Sequence, residues 1–231
     1  MFELSPAEWQ AIGLSLKVGF WSTALSLPLG FALAYLLARR DFPLKSLVNS
    51  IVYMPLVLPP VVTGMLLLLF FGTRGAGGRF LEDVFGITIA FRWTGAALAA
   101  SIMGLPLMVR AMRLSIEAVD RRLELAARTL GASRWRAFFT ITLPLSLPGI
   151  IAGAVLSFAK SFGEFGATIT FVSNIPGETQ TLPIAIYSFL QSPTGEGPAI
   201  RLAILSVIVS MIAIIGAEWV EQRVTTKVRT A

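Results

Sequence analysis

The stretch Asp120–Pro144 reads DRRLELAARTLGASRWRAFFTITLP. It is a long polar interval with apolar segments on both sides, and it carries Arg121, Arg122, Arg128, Arg134 and Arg136. Asp120 is a suitable N-cap and Gly131 a suitable C-terminal stop. Between them Leu123, Ala126, Ala127 and Leu130 recur at helical spacing on one face. A helix this short is unstable alone in water and needs a groove to lie in. Small alanines let it sink, and the flanking arginines supply rim contacts. Ser133 is placed to cap a second helix that returns Trp135 and Phe138 to the membrane. On charge alone, an ordinary basic loop that sets topology fits equally well.

The surroundings are those of a membrane protein. Of 231 residues, 55% are apolar and 14% charged, and the mean hydropathy is +0.76. Soluble domains average about 25% charged residues. The net charge of +6 does not point to nucleic acid, because the basic residues fall in gaps between apolar runs rather than along one soluble face. There is no Cys and no His, so disulfides, thiolate metal sites and imidazole bases are excluded. No metal site and no cofactor are expected. No G-x-x-x-x-G-K-[ST] loop occurs, so the chain has no Walker-type ATP site of its own.

At roughly 20 apolar residues per crossing, five spans are expected. They run over about 11–38, 47–71, 94–114, 141–160 and 199–219. The first has Glu3 and Glu8 before it and Arg39 and Arg40 after it. A cleavable signal has the opposite order, so a retained span is expected. Lys17 is placed to snorkel, and Pro28 to kink the helix. Pro55, Pro59 and Pro60 predict a distorted second span facing protein rather than lipid. Residues 72–92 read as a Gly-rich loop of mixed charge, with Trp93 at an interface. In the third span Ala96, Ala100 and Gly104 form a small-residue stripe for close helix approach, and Pro106 predicts a kink. The fourth contains the G-x-x-x-G pair Gly149 and Gly153. Residues 161–198 are too polar for a full span, with 182–190 expected as a short interfacial helix on the surface or dipping into the bilayer.

Lys and Arg cluster in the segments 39–47, 110–140 and 220–231. The positive-inside rule puts those segments in the cytoplasm. An odd number of spans then leaves the N-terminus periplasmic and the C-terminus cytoplasmic.

A second informative stretch is Lys160–Thr168, KSFGEFGAT. If the fourth helix continues, Lys160 and Glu164 form an i, i+4 pair, which lowers the cost of charge near the membrane. Gly163 and Gly166 permit bending or close contact. Phe162 and Phe165 are sized to plug a pore, and Ser161, Thr168 and Thr170 to donate hydrogen bonds to a passing anion. An ordinary helix end with a snorkelling lysine accounts for the same residues.

These residues also carry a resemblance. Glu124, Ala126, Ala127, Gly131, Ile141, Leu143 and Pro144 resemble the E-A-A-x3-G-x9-I-x-L-P signature of ABC importer permeases. One departure is that the position usually held by Glu is Leu125, with Glu124 one residue earlier. Ser161–Thr179, SFGEFGATITFVSNIPGET, resembles the molybdate permeases, and its E-F-G-A core is shared with sulfate permeases. Met54–Gly64, MPLVLPPVVTG, resembles the same subgroup.

The resemblance implies an all-α polytopic membrane bundle of the type I ABC importer permease kind, with five transmembrane helices and a cytoplasmic coupling helix over 120–136. It implies ATPase-docking residues Leu123, Glu124, Leu125, Ala126, Ala127, Leu130 and Gly131. It implies a pathway or gate at Lys160, Ser161, Phe162, Gly163, Glu164, Phe165, Gly166 and Thr168. The implied partners are a second copy of the chain, cytoplasmic ATP-binding cassette subunits, a periplasmic molybdate-binding protein and the lipid bilayer of the inner membrane. The implied activity is molybdate import, with no catalysis in this chain. Sulfate or tungstate import within the family is an alternative. From other classes, a membrane enzyme lacks an acid–base constellation, and a secondary transporter would usually show duplicated halves.

Overall fold

The structure, a computed structural model, describes residues 4–229, with side chains described as far as 219 apart from position 217. Glu3 and the basic residues of the 220–231 segment, Arg223, Lys227 and Arg229, lie outside the described side chains. The helices are α1 Pro6–Arg39, α2 Lys45–Val57, α3 Pro60–Phe71, α4 Ala76–Phe85, α5 Trp93–Ala118, α6 Arg121–Thr129 and α7 Arg134–Ala137. A π-helical turn at Phe138–Thr142 leads into α8 Leu143–Phe162, and α9 Gly166–Val172, α10 Leu182–Leu190 and α11 Glu196–Arg229 follow. No strand occurs among the described residues.

Four segments are long and apolar enough to cross a membrane: Pro6–Arg39, Trp93–Ala118, Arg134–Phe162 and Glu196–Gly216. The second expected span is instead two helices, α2 and α3, which meet at a bend of 114°. The pair brings the number to five when it is taken as one broken span. The break follows from Leu58-Pro59-Pro60. A residue before proline is disfavoured in the helical region, and Leu58 and Pro59 are both extended at ψ 140° and 133°. Pro60 then starts α3, where its missing N–H costs nothing. Pro28, Pro55 and Pro106 lie inside α1, α2 and α5, none of which they interrupt.

Within this subunit α3 packs on α9, where a Cβ on Gly64 would lie 2.5 Å from the Ala167 carbonyl oxygen, while α2 touches α5. Val52 is the buried residue of α2, and α3 buries Thr63, Gly64 and Leu67. The expected loop at 72–92 contains α4, which stops at Gly86 in a left-handed conformation, φ 65°.

Helix α5 is the axis of the bundle, packed along α1 and α8. Ala96, Ala99 and Ala100 are fully buried on it. A Cβ on Gly104 would lie 2.5 Å from Ser157 Oγ, and one on Gly153 would lie 2.9 Å from the Met108 carbonyl oxygen. Gly104 of α5 thus meets Ser157, while Gly149 and Gly153 of α8 meet Ser115 and Met108 further along the same α5–α8 contact, and small residues let the two helices associate without a hydrophobic driving force. The outside is the reverse of a soluble protein. Phe20, Leu25, Leu69, Phe70 and Met211 are exposed while Ser15, Ser22, Ser146 and Ser157 are buried.

Polar contacts fasten the helices. Arg201 donates from Nε and Nη2 to the two carboxylate oxygens of buried Glu8, at 3.0 and 3.2 Å, joining α11 to the start of α1. Arg113 donates to Asn49 Oδ1 at 2.9 Å, holding α2 on α5. Lys17 lies 3.7 Å from the centre of the Trp93 ring, so its charge is held by an aromatic face.

Candidate functional site

The polar elbow forms as its sequence dictates. Asp120 Oδ1 accepts from the Arg122 N–H at 2.9 Å, capping α6. At the other end Ala132 N–H reaches the Ala127 carbonyl at 3.0 Å and Gly131 N–H the Arg128 carbonyl at 3.1 Å. This paired closure needs a left-handed residue, and Gly131 supplies it at φ 89°. Ser133 Oγ caps α7 by accepting from Arg136 N–H at 3.2 Å.

The elbow presents its apolar side outward. Leu130 is 89% exposed and Trp135 73%, and Leu123, Leu125 and Ala126 are exposed as well. Ala127 is half-buried. Glu124 behaves differently. Its Oε1 receives Arg39 Nη2 at 2.9 Å and Thr142 Oγ1 at 2.7 Å. The same Arg39 nitrogen also donates to the Val119 carbonyl at 3.2 Å. Glu124 is therefore engaged with its own chain, tying α6 to the end of α1 and to the turn that enters α8.

At the Lys160 stretch α8 ends at Phe162, with Gly163 as its C-cap. The ion pair forms although the helix does not continue: Lys160 Nζ lies 2.7 Å from Glu164 Oε2. The Glu164 side chain is 1% exposed and that of Lys160 31%. The other oxygen of Glu164 accepts from the Ala167 N–H at 3.0 Å, which caps the first turn of α9. Glu164 thus bridges the last turn of α8 and the first of α9.

Several expected pathway side chains are committed elsewhere. Phe162 is buried with Ile12, Leu182 and Leu202, and stacks on Phe158. It fills the core of this subunit. Ser161 Oγ donates to the Ala100 carbonyl, bolting α8 to α5. Thr168 Oγ1 contacts the Glu164 and Phe165 carbonyls at 3.1 and 2.9 Å, and Thr170 Oγ1 donates to the Gly166 carbonyl at 2.8 Å. Phe165 remains half-buried beside Tyr187, at 5.1 Å between ring centres. Gly166 allows close contact rather than bending, since a Cβ there would stand 2.8 Å from Pro60 Cβ. Helix α10 buries Leu182, Ile184 and Ala185 against the bundle and leaves Tyr187 and Leu190 exposed.

The comparisons with known proteins agree with this architecture. A family model described as binding-protein-dependent transport system inner membrane component matches residues 26–226. The chain belongs to this family. It is 60% identical over 216 residues to the molybdenum transport system permease protein ModB of Escherichia coli (strain K12), covering 94% of each chain. It is 54% identical over 220 residues to the ModB of Haemophilus influenzae, covering 95% of this chain and 96% of that protein. Among solved structures, a chain of a bacterial ABC transporter involved in the import of the acidic polysaccharide alginate superposes with a TM-score of 0.75 at 19% identity, covering 96% of this chain and 81% of that one. The shared fold is that of the type I ABC importer permeases.

For this inner-membrane permease, reasoning from sequence missed Arg39 and Thr142. Arg39 reads as a topology charge and Thr142 as part of a passing I-T-L-P. The available signal is Glu124 itself, which stands one position off the familiar signature and so points from a different angle of the helix.

Proposed function

We propose that this chain forms the membrane pathway of an ATP-driven importer of molybdate. The supporting observation is the 60% identity over 94% of its length to a permease named for molybdenum transport. The exposed elbow supplies the means of coupling. The chain has no phosphate-binding loop, so ATP hydrolysis belongs to separate cassette subunits. Those subunits grip Leu123, Leu125, Ala126, Ala127, Leu130 and Gly131 on the cytoplasmic side. The N-terminus is then periplasmic and the C-terminus cytoplasmic, with crossings at α1, the α2–α3 pair, α5, α8 and α11. Two copies assemble about a shared axis, and a periplasmic binding protein delivers the oxyanion.

Coupling follows from rigidity. Arg39, Glu124 and Thr142 fix the elbow to the ends of α1 and α8. Displacement of the elbow therefore turns two spans together, and a packed bundle answers by moving between discrete arrangements. At the Lys160 stretch a partly exposed ammonium offers positive potential, while Glu164 beneath it limits the field. Such a balance lets an oxyanion enter without being held. Lys160, Gly163, Glu164, Phe165 and Gly166 form the gate, and Ser161, Phe162 and Thr168 hold its frame.

The test is uptake of labelled oxyanion into vesicles carrying this chain, its cassette subunits and its binding protein. Molybdate uptake that requires ATP is expected, with sulfate a poor competitor. Equal uptake of sulfate would favour the sulfate reading, and uptake without ATP would overturn the proposal.

A further inference from the structure

A cleft of about 450 Å³ lies where α1, α6 and α7 converge. Its rim carries Arg39, Arg40, Arg121, Arg128 and Arg134, and its acidic member is Glu124. Its floor is apolar, formed by Tyr35, Leu125, Ala137 and Phe138, with the Tyr35 and Phe138 rings packed edge to face at 5.4 Å. Five guanidinium groups against one carboxylate leave a strong positive excess. Among the described residues, Arg39 is the one of the five with a carboxylate within 4 Å.

A second observation points to a ligand. The Arg39 side chain is only 8% exposed, yet its Nε–H has no acceptor. A buried guanidinium donor without a partner is costly, and Arg39 lines this cleft. Arg40, Arg128 and Arg134 are exposed, so they are free to turn onto an anion, while Arg121 donates to the Ala38 carbonyl at 3.5 Å. Arg39 and Arg134 are the end residues of two segments long and apolar enough to cross a membrane, so the cleft lies at the ends of two candidate spans. A basic pocket of this kind between helices recognises phosphate-bearing headgroups. The guanidinium fork matches phosphate oxygens in pairs.

We infer that this cleft binds a phosphate group, presented by an anionic phospholipid whose glycerol end rests on Tyr35 and Phe138. The bound phosphate supplies the acceptor that Arg39 Nε lacks and offsets the repulsion among the rim arginines. It also steadies the elbow independently of any cargo.

The test uses the full chain in nanodiscs of mixed phosphatidylglycerol and phosphatidylcholine, with retained lipid counted by native mass spectrometry. Retained phosphatidylglycerol is expected to exceed its share of the mixture. It should fall at least about tenfold in Arg40→Gln/Arg128→Gln/Arg134→Gln. The control Arg74→Gln/Arg79→Gln/Arg92→Gln removes as much charge far along the chain and should retain lipid normally. If the triple variant fails to fold, Arg40→Gln/Arg134→Gln is read in its place, both side chains being exposed. In phosphatidylcholine alone, calorimetric titration with inorganic phosphate separates the sources. Binding of free phosphate that the variant abolishes, without lipid preference, keeps the phosphate site and assigns it to a soluble ligand. Equal lipid retention and equal phosphate binding in variant and wild type overturn the inference. So does a variant that keeps its lipid in the nanodisc but no longer co-purifies with the cassette subunits, since the cleft then belongs to a protein partner.

Discussion

Arg39 and Glu124 stand 85 residues apart in sequence and 2.9 Å apart in space. Their ion pair closes a frame made by the end of α1, the elbow helix α6 and Thr142 at the entry to α8. The Arg39 side chain is nearly buried while Glu124 is a quarter exposed. Breaking a fully buried pair costs about 3–5 kcal/mol, and partial exposure lowers that to roughly 1–3 kcal/mol here. A double-mutant cycle with Arg39→Gln and Glu124→Gln, read by unfolding in mixed micelles, should give a coupling energy in that lower range. Additivity within about 0.5 kcal/mol would remove the pair from the frame.

Gly131 closes α6 at φ 89°, with no atom within 4 Å of where a Cβ would stand. Space is ample and backbone strain is the sole obstacle. Gly131→Ala should cost about 1–2 kcal/mol, and Gly131→Asn less, because Asn tolerates this region. Gly131→Trp should leave the subunit in the membrane and uncouple ATP hydrolysis from transport. Melting of the purified variants orders the first two, and uptake with ATPase assays checks the third. Normal coupled uptake by the Trp variant would argue against docking at this turn.

Glu164 has two tasks, and substitution separates them. Glu164→Gln keeps an oxygen for the Ala167 N–H but removes the charge facing Lys160. Glu164→Ala loses both. Stability should follow Glu > Gln > Ala, whereas transport should be disturbed already in Gln. Wild-type uptake and wild-type basal ATPase in both variants would exclude Glu164 from gating.

The α5–α8 contact leaves no room on either side. Gly104→Val would drive a side chain onto Ser157, and overpacking of this kind costs about 1–3 kcal/mol. Yield and melting temperature of the purified variant should both drop. Ala100→Gly, by contrast, leaves the approach open and should cost no more than about 1 kcal/mol.

Much of the fold is legible in the sequence because membrane helices are written in long apolar runs. The stripe Ala96, Ala100, Gly104 and the pair Gly149, Gly153 also disclose the central contact, since small residues permit close approach. Helix α10 occupies the apolar run 182–190, but its burial is not legible there. That burial depends on Ser15 of α1, whose hydroxyl accepts the Leu182 N–H at 2.6 Å. Helix α4 hides within a Gly-rich stretch because Gly77 and Gly78 pack closely against the chain at Phe70 and Gly72, where propensity alone reads a loop.

The sites were less legible than the fold. Hydroxyl groups at Ser161, Thr168 and Thr170 are offered to solutes and backbone carbonyls alike, and composition does not say which. In the folded chain the carbonyls take them. Phe162 and Phe165 are chemically equal in sequence, but the turn at Gly163 sends one into the core and leaves the other half-buried. Arg39 and Glu124 meet only because α1 and α6 end at the same level of the bundle.

The central claim is that a cytoplasmic motor grips the exposed elbow. The chain has no cysteine, so Leu130→Cys gives a single reporter at its most exposed leucine. A membrane-impermeant maleimide should label it in inverted vesicles and not in right-side-out ones, and binding of the cassette subunits should block the labelling. Labelling from the periplasmic side, or labelling unaffected by the bound cassette subunits, would contradict the account.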